Sequence, residues 1–388
     1  MPSKRYLMTP GPTPVPPAVA AAMSQPLVHH RTAEFRALFA RVLARLRDVY
    51  RTAGEVVLFT SSGTGGMESA VANVCGPGDR VLCVAAGNFG ERWISLAQAY
   101  GCDVVPLRYE WGETPAADDV ASALAEAGEV KAVFLTHSET STGVVADVGE
   151  IAARVTGSGA LTVVDAISSL GAVPLETDAW GLDVVVAGSQ KALMTPPGLA
   201  TVSVSDAALA AAAGSLTTGR FYFDWTRALK AQREEPPVTP FTPAISLVAA
   251  LDAALEILLA EGLEAAFDRH VRLGRACRAG VKAMGLELFS PDEDRSAVVT
   301  AIRMPPDVDG AAVVGAVAER HGITLEGGRG ALAGKIVRIG HIGYVDVFDV
   351  TAALTALEQV LTDFRIELER GVAAAAALEA FGGEAVRV

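Results

Sequence analysis

The sequence predicts an α/β fold: a mainly parallel seven-stranded sheet in a large domain, followed by a smaller α+β C-terminal domain. Three observations predict it. Seven short runs between residues 55 and 204 are largely apolar rather than alternating, the mark of strands covered on both faces. Helical stretches lie between most of them, and strand–helix repetition implies parallel strands joined by right-handed crossovers. Beyond a long helix near residue 250, helices alternate with only a few strands.

In chain order, the proline-rich residues 7–17 exclude helix and central strand, because proline removes donors and fixes φ. Residues 1–20 then form an extended arm that has to lie on something else, such as a partner subunit. Ala18–Met23 and Glu34–Tyr50 read as helices; the second spaces Phe35, Leu38, Phe39, Val42, Leu43 and Leu46 at helical intervals. The strands expected are Val56–Phe59, Arg80–Ala85, Asp103–Leu107, Ala132–Thr136, Leu161–Val164, Val184–Ala187 and Ala200–Val204. Between them, Met67–Val74, Glu91–Ala99, Asp118–Ala127 and Val148–Val155 read as helices. Residues 206–243 are less regular. A long helix over Ala244–Ala260 ends the large domain, residues 21–260. The small domain, residues 261–388, has helices at Phe267–Met284, Gly310–His321 and Val347–Leu368 and strands at Ala297–Met304 and Ile336–Gly340. Its alanine-rich tail from Gly371 reads as helix or a frayed end.

Bulk properties exclude several classes. A net charge of −13, with no compensating Lys/Arg cluster, argues against nucleic-acid binding. Cys75, Cys83, Cys102 and Cys277 make no C-x-x-C pair and no metal spacing, so no metal is expected. Their apolar surroundings suit buried thiols in a reducing compartment. No apolar run reaches membrane-spanning length, and the N-terminus has no signal-peptide core. A cytoplasmic protein is expected.

Chemistry concentrates at the C-terminal strand ends, where sites in such sheets lie. Asp165 follows one strand, and Lys191 follows the next within Gly188-Ser189-Gln190-Lys191. An amine that can form a Schiff base, and a carboxylate that can keep a ring nitrogen protonated, suit pyridoxal phosphate. The small-residue segment Thr60–Met67 joins a strand to a helix, where a phosphate can approach the backbone and the helix start.

At this point the chain resembles the class V, fold-type I pyridoxal-phosphate aminotransferases of the alanine–glyoxylate and serine–glyoxylate (serine–pyruvate) group. The resemblance rests on Met8-Thr9-Pro10-Gly11-Pro12-Thr13-Pro14, His30-Arg31-Thr32-Ala33-Glu34-Phe35 and Ser62-Gly63-Thr64-Gly65-Gly66. It continues through His137-Ser138-Glu139-Thr140-Ser141-Thr142-Gly143, Val164-Asp165-Ala166-Ile167-Ser168-Ser169 and Gly188-Ser189-Gln190-Lys191-Ala192-Leu193. Thr239-Pro240-Phe241-Thr242-Pro243 and Val337-Arg338-Ile339-Gly340 complete it, in family order over nearly the whole chain.

The resemblance implies roles. Lys191 would carry the cofactor aldehyde and, once freed, shuttle a proton. Asp165 would hold the ring nitrogen protonated. Thr64, Gly65, Gly66 and Gln190 would hold the phosphate, with help from Ser189. Thr140 would bond near the ring hydroxyl, and Ile167 and Phe89 would pack on the two ring faces. Many relatives carry tryptophan in place of Phe89, so this ring offers less area and no indole N–H. Thr239 and Thr242 would reach the phosphate across a homodimer interface. Arg338 would grip the substrate α-carboxylate, for which a planar guanidinium fork is suited. Gly11 would admit substrate close to the arm. His29, His30 and Arg31 are expected to anchor the arm, with neutralisation of a second substrate acid as the alternative, and His137 is expected to be scaffold. The implied activity is transfer of an amino group from alanine or serine to glyoxylate or pyruvate. Alternatives are another amino donor such as aspartate, or a cofactor-binding subunit without catalysis.

Overall fold

A computed structural model describes residues 4–214, 219–291 and 296–382 of the chain. Its centre is a seven-stranded sheet in the order Glu55–Thr60, Leu199–Val204, Val184–Gly188, Leu161–Asp165, Ala132–Thr136, Arg80–Ala85, Asp103–Arg108. Leu199–Val204 is antiparallel to both its neighbours; the other pairs are parallel. All seven expected strands are present, within a residue or two at each end. Six point the same way, so the ends of Ala132–Thr136, Leu161–Asp165 and Val184–Gly188 lie side by side. Register places Thr136 opposite Asp165, and Asp165 opposite Val186.

Helices cover both faces. One core packs Phe35, Phe39, Leu43 and Leu46 of helix Ala33–Tyr50 with Leu251 and Leu255 of helix Ile245–Glu261 against one side of the sheet. The other packs Met67 and Val71 of helix Gly63–Val74, Trp93 of helix Asn88–Ala99, and Trp225. Each such buried side chain contributes about 1.5–3 kcal/mol, so the strand ends rest on a rigid base. A third core surrounds a three-stranded antiparallel sheet, Val299–Arg303, Ile336–Gly340 and Glu326–Gly327, covered by helices Leu263–Ala283, Gly310–His321 and Val347–Asp363. Among the described residues no helix is long and apolar enough to cross a membrane.

Several expectations change. The arm lies on its own chain: Tyr6–Leu7 pairs in parallel with Ile323–Thr324, and Gly340 N donates to Met8 O at 2.7 Å. Pro17 is not extended; it opens helix Pro17–Met23, where its missing N–H costs nothing. Helix Gly63–Val74 starts four residues earlier than the apolar pattern suggests, so the glycine-rich segment is its first turn. The helix from Val347 stops at Asp363 rather than Leu368, with Arg365 in a left-handed conformation (φ 61°) just beyond. The irregular stretch holds helices Asp206–Gly214 and Trp225–Gln232, too short and too alanine-rich or charged to show a clear period. The tail forms helix Val372–Gly382; residues 383–388 lie outside the described residues.

Candidate active site

A cleft of about 240 Å³ opens at the C-terminal ends of the parallel strands. Asp165 and Lys191 both line it, and both are buried, at 4% and 8% exposure. Asp165 is the last residue of its strand; its Oδ1 accepts from Ile167 N at 2.8 Å. Burial pushes this carboxyl up to about 7, against the pull of the Ile167 N–H, and the Glu139 carboxylate adds to the rise. Lys191 sits in the turn after Val184–Gly188. Burial holds its amine down at about 8, partly offset by Asp165, while Arg338 and Arg329 lower it further. Two groups of opposite charge type are thus both brought within reach of neutral pH by the same desolvation.

The arm roofs this lysine. Lys191 Nζ donates to Pro10 O at 2.5 Å, Thr13 Oγ1 donates to Lys191 O at 3.0 Å, and Thr13 N donates to Gln190 O at 3.1 Å. Gly11, at φ +139°, is the point of closest approach; a Cβ there would collide with Lys191 Cε and Nζ. Only glycine takes that backbone conformation easily and leaves that room.

The helix start forms one wall, through Ser62, Gly63 and Thr64. Gly65 and Gly66 are not part of it. Their N–H groups both donate to Ser62 O, and a Cβ on Gly66 would press on Val186 Cγ1 at 2.7 Å, on the sheet side. The free N–H groups of a helix are its first ones, so the helix's early start moves the anion-facing backbone back to Gly63 and Thr64. Gln190 and Ser138 also line the cleft, and Gln190 Oε1 and Ser138 Oγ are buried without a partner. Ser189, by contrast, is committed to the scaffold: its Oγ donates to Pro196 O at 2.7 Å and accepts from Leu199 N at 3.2 Å.

Phe89 and Ile167 both line the cleft. Phe89 is held from behind by Glu139, whose buried Oε2 accepts from Phe89 N at 2.9 Å and Gly90 N at 3.1 Å. Oε1 of the same carboxylate accepts from Ser141 N at 3.2 Å and from Ser141 Oγ. Thr140, expected at the cofactor ring, is buried outside the cleft lining, and its carbonyl accepts from Arg338 Nη1 at 2.8 Å. Arg338, 2% exposed, also donates from Nε and Nη2 to Gly327 O at 3.0 and 2.6 Å. Burial lowers its guanidinium to about 10, leaving it charged at neutral pH.

Thr239 and Thr242 are not brought to this cleft. They border a separate small cavity beside Phe59 and Tyr222, where Thr239 Oγ1 is buried without a partner. His29, His30 and Arg31 are also remote, in the turn that starts helix Ala33–Tyr50, with Thr32 as its N-cap. His137 is buried beside Trp180, and desolvation lowers it to about 4, so it is neutral.

Two cleft cations escaped the sequence reading. Arg329 stands at the mouth, paired with Glu326 at 3.2 Å. Arg92 reaches in from helix Asn88–Ala99, one turn after Phe89. The helix expected from Glu91 left Phe89 outside it; the observed start at Asn88 puts Phe89 and Arg92 on one face, since i and i+3 are neighbours.

The aminotransferase class-V family matches residues 5–350. The chain belongs to the class-V aminotransferases. It is 37% identical to the serine–glyoxylate aminotransferase of Methylorubrum extorquens, over 97% of this chain and 96% of that one. It is 43% identical to a Synechococcus protein named as the small subunit of a soluble hydrogenase, over 94% of each chain. The crystal structure of ureidoglycine–glyoxylate aminotransferase from Bacillus subtilis superimposes with a TM-score of 0.93 at 32% identity, covering 98% of this chain and 99% of that one. The protein is therefore an aminotransferase of fold type I, and its cofactor is pyridoxal phosphate. The residues of this class-V cleft fit that group. A buried amine held near 8 suits an aldehyde, a buried carboxyl suits a ring nitrogen, and unpaired Gln190 and Ser138 atoms await a polar ligand.

Proposed function

We propose that this aminotransferase moves the amino group of alanine or serine to glyoxylate or pyruvate in two half-reactions at one cleft. The donor leaves as its 2-oxo acid, and the acceptor leaves as an amino acid. The observation that carries the reading is the shared burial of Lys191 and Asp165, which brings the amine down to about 8 and the carboxyl up to about 7.

Pyridoxal phosphate, when bound, supplies an aldehyde for the substrate amine and a ring that draws electrons from the substrate α-carbon. Lys191 would hold the aldehyde in the resting enzyme. Displaced by substrate, its amine would take the proton from the substrate α-carbon as general base and deliver it, as general acid, to the carbon that came from the cofactor aldehyde. Asp165 would keep the ring nitrogen protonated through its charge. Gly63 and Thr64 present helix-start N–H groups to the phosphate, and Gln190 adds its amide; these backbone donors take the place first assigned to Gly65 and Gly66. Phe89 and Ile167 orient the ring by packing. Arg338 binds the substrate α-carboxylate by exchanging its hold on Thr140 O or Gly327 O for the carboxylate. Gly11 keeps the roof thin above Lys191.

Glyoxylate as acceptor is supported by two relatives that share it in their names while differing in donor. A small donor is supported by the roof that Pro10–Thr13 lays over Lys191. We further read the protein as a homodimer in which Thr239 and Thr242 complete the partner's cleft, supported by the unpaired Thr239 Oγ1 and the exposed Phe221 and Tyr222 beside it. Residues 21–260 would carry the cofactor, and residues 261–388 would bring Arg338 to it.

The test is a panel of L-alanine, L-serine and L-aspartate against glyoxylate, pyruvate, oxaloacetate and 2-oxoglutarate. Alanine or serine with glyoxylate or pyruvate should give the highest kcat/KM. A preference for aspartate with 2-oxoglutarate would overturn the assignment, and absence of any transfer would mean a cofactor-binding subunit. Light scattering checks the dimer.

A further inference from the structure

The phosphate end of the cleft is short of positive charge unless one more residue serves it. A phosphate monoester carries about −1.5 to −2 charges at pH 7, whereas a helix N-terminus offers roughly +0.5. Three other cations line the cleft. Lys191 is directed to the Pro10 carbonyl, and Arg329 is paired with Glu326. Arg92 makes no ion pair among the described residues, although its charge acts at longer range on Asp165. Its neighbour Glu91 is taken by Arg108 at 2.7 Å. Instead Arg92 Nη1 donates to Thr64 Oγ1 at 2.9 Å, and the guanidinium lies over the Phe89 ring, 4.7 Å from its centroid.

Both contacts point the charge at one place. Thr64 is in the first turn of helix Gly63–Val74, whose N-cap Ser62 makes no side-chain bond to the helix start. Gln190, whose side-chain NH2 can donate to an anion, lines the same cleft.

We propose that Arg92 is a charge partner of the cofactor phosphate, steered to it by Thr64 and braced on Phe89. This rests on the reading that the cleft binds pyridoxal phosphate, and it adds Arg92 to the residues that serve it. The Arg92 fork donates to Thr64 with Nη1 and has further N–H groups free for phosphate oxygens.

The test separates the phosphate from the ring. Pyridoxamine 5′-phosphate and pyridoxamine differ only in the phosphate, and neither bonds covalently to Lys191. Their affinities for the full chain, freed of cofactor, are measured by calorimetry for wild type, Arg92→Met and Arg92→Gln. Glutamine keeps a polar contact with Thr64 but no charge, so either folded variant is sufficient. The expected result is a loss of about tenfold to a hundredfold for pyridoxamine 5′-phosphate, the range for a charge-assisted hydrogen bond, with less than about a twofold change for pyridoxamine. Inorganic phosphate should compete with the phosphorylated compound in wild type and compete poorly in the variants. Equal weakening of both compounds would overturn the proposal, because it would make Arg92 a brace for Phe89 alone. Unchanged affinity for both would overturn it too. Wild type that binds neither compound would instead sink the underlying cofactor reading, and this proposal with it.

Discussion

Lys191 Nζ donates to the carbonyl of Pro10 at 2.5 Å, joining residues 181 positions apart in the chain. The bond fixes the amine of the turn after Val184–Gly188 beneath an arm that is itself bonded to the small sheet through Met8 and Gly340. Between them, Gly11 has no room for a side chain. Gly11→Ala should therefore cost about 1–3 kcal/mol in backbone strain and push the lysine aside. A displacement near 1 Å lowers turnover by about a hundredfold. Urea unfolding and steady-state kcat check the two parts; an active, stable variant would show that the arm is not rigid here.

The amine at about 8 sets a pH dependence for cofactor capture. Only the neutral form attacks an aldehyde, and its fraction rises as pH passes the lysine's value. The absorbance change on adding pyridoxal phosphate to cofactor-free chain should speed up between about pH 7 and 9 and then level off. Lys191→Ala should give no such change while unfolding normally. A rise delayed to pH 10 would mean an ordinary solvated lysine.

Asp165 makes the opposite demand on stability. Its folded value, about 7, lies above the usual 3.8, so the unfolded chain releases this proton first as pH rises. The folded state binds more protons between these values, and the contribution of this group to stability falls across that window. It is fully present below about pH 4 and lost by about pH 7. Asp165→Asn should stabilise the cofactor-free chain at pH 8 by on the order of 1–3 kcal/mol, leave it near wild type at pH 4, and abolish transamination. Urea midpoints at the two pH values test this. Equal effects at both would mean that the carboxyl is not desolvated.

Glu139 is a buried carboxylate spent on four donors: the N–H groups of Phe89, Gly90 and Ser141, and the Ser141 hydroxyl. Three of its bonds hold backbone that shapes the cleft wall. Glu139→Ala should cost about 3 kcal/mol or more, since each buried donor left unpaired costs about 1–3 kcal/mol. It should also loosen Phe89 and weaken cofactor binding. Glu139→Gln, which keeps one acceptor oxygen, should lose less. Denaturation curves and cofactor titration distinguish them.

Arg338→Lys keeps a charge but loses the fork that spans Gly327 O and Thr140 O. It should lower kcat/KM for the amino donor by about 10- to 100-fold, with cofactor affinity unchanged. A loss in cofactor affinity alone would assign Arg338 to a different task.

The seven strands, their covered faces and the pairing of Asp165 with Lys191 were legible because they are local. Apolar runs, turn residues and chemistry-bearing residues at run ends can all be read within a few positions of one another. The sequence also determined the family, through motifs spread along nearly the whole chain. Only the tertiary structure decided what those motifs touch. Helix Gly63–Val74 begins inside the glycine run, with Gly66 packed closely on Val186 and Ala200, so its first free N–H groups are those of Gly63 and Thr64. The arm folds back on its own chain because its backbone donors find Gly322 and Thr324. Thr140 yields its carbonyl to Arg338 from 198 residues away, and Arg92 meets Thr64 across two helices. Contacts of that kind depend on which surfaces the sheet order brings together, and no spacing along the chain encodes that order.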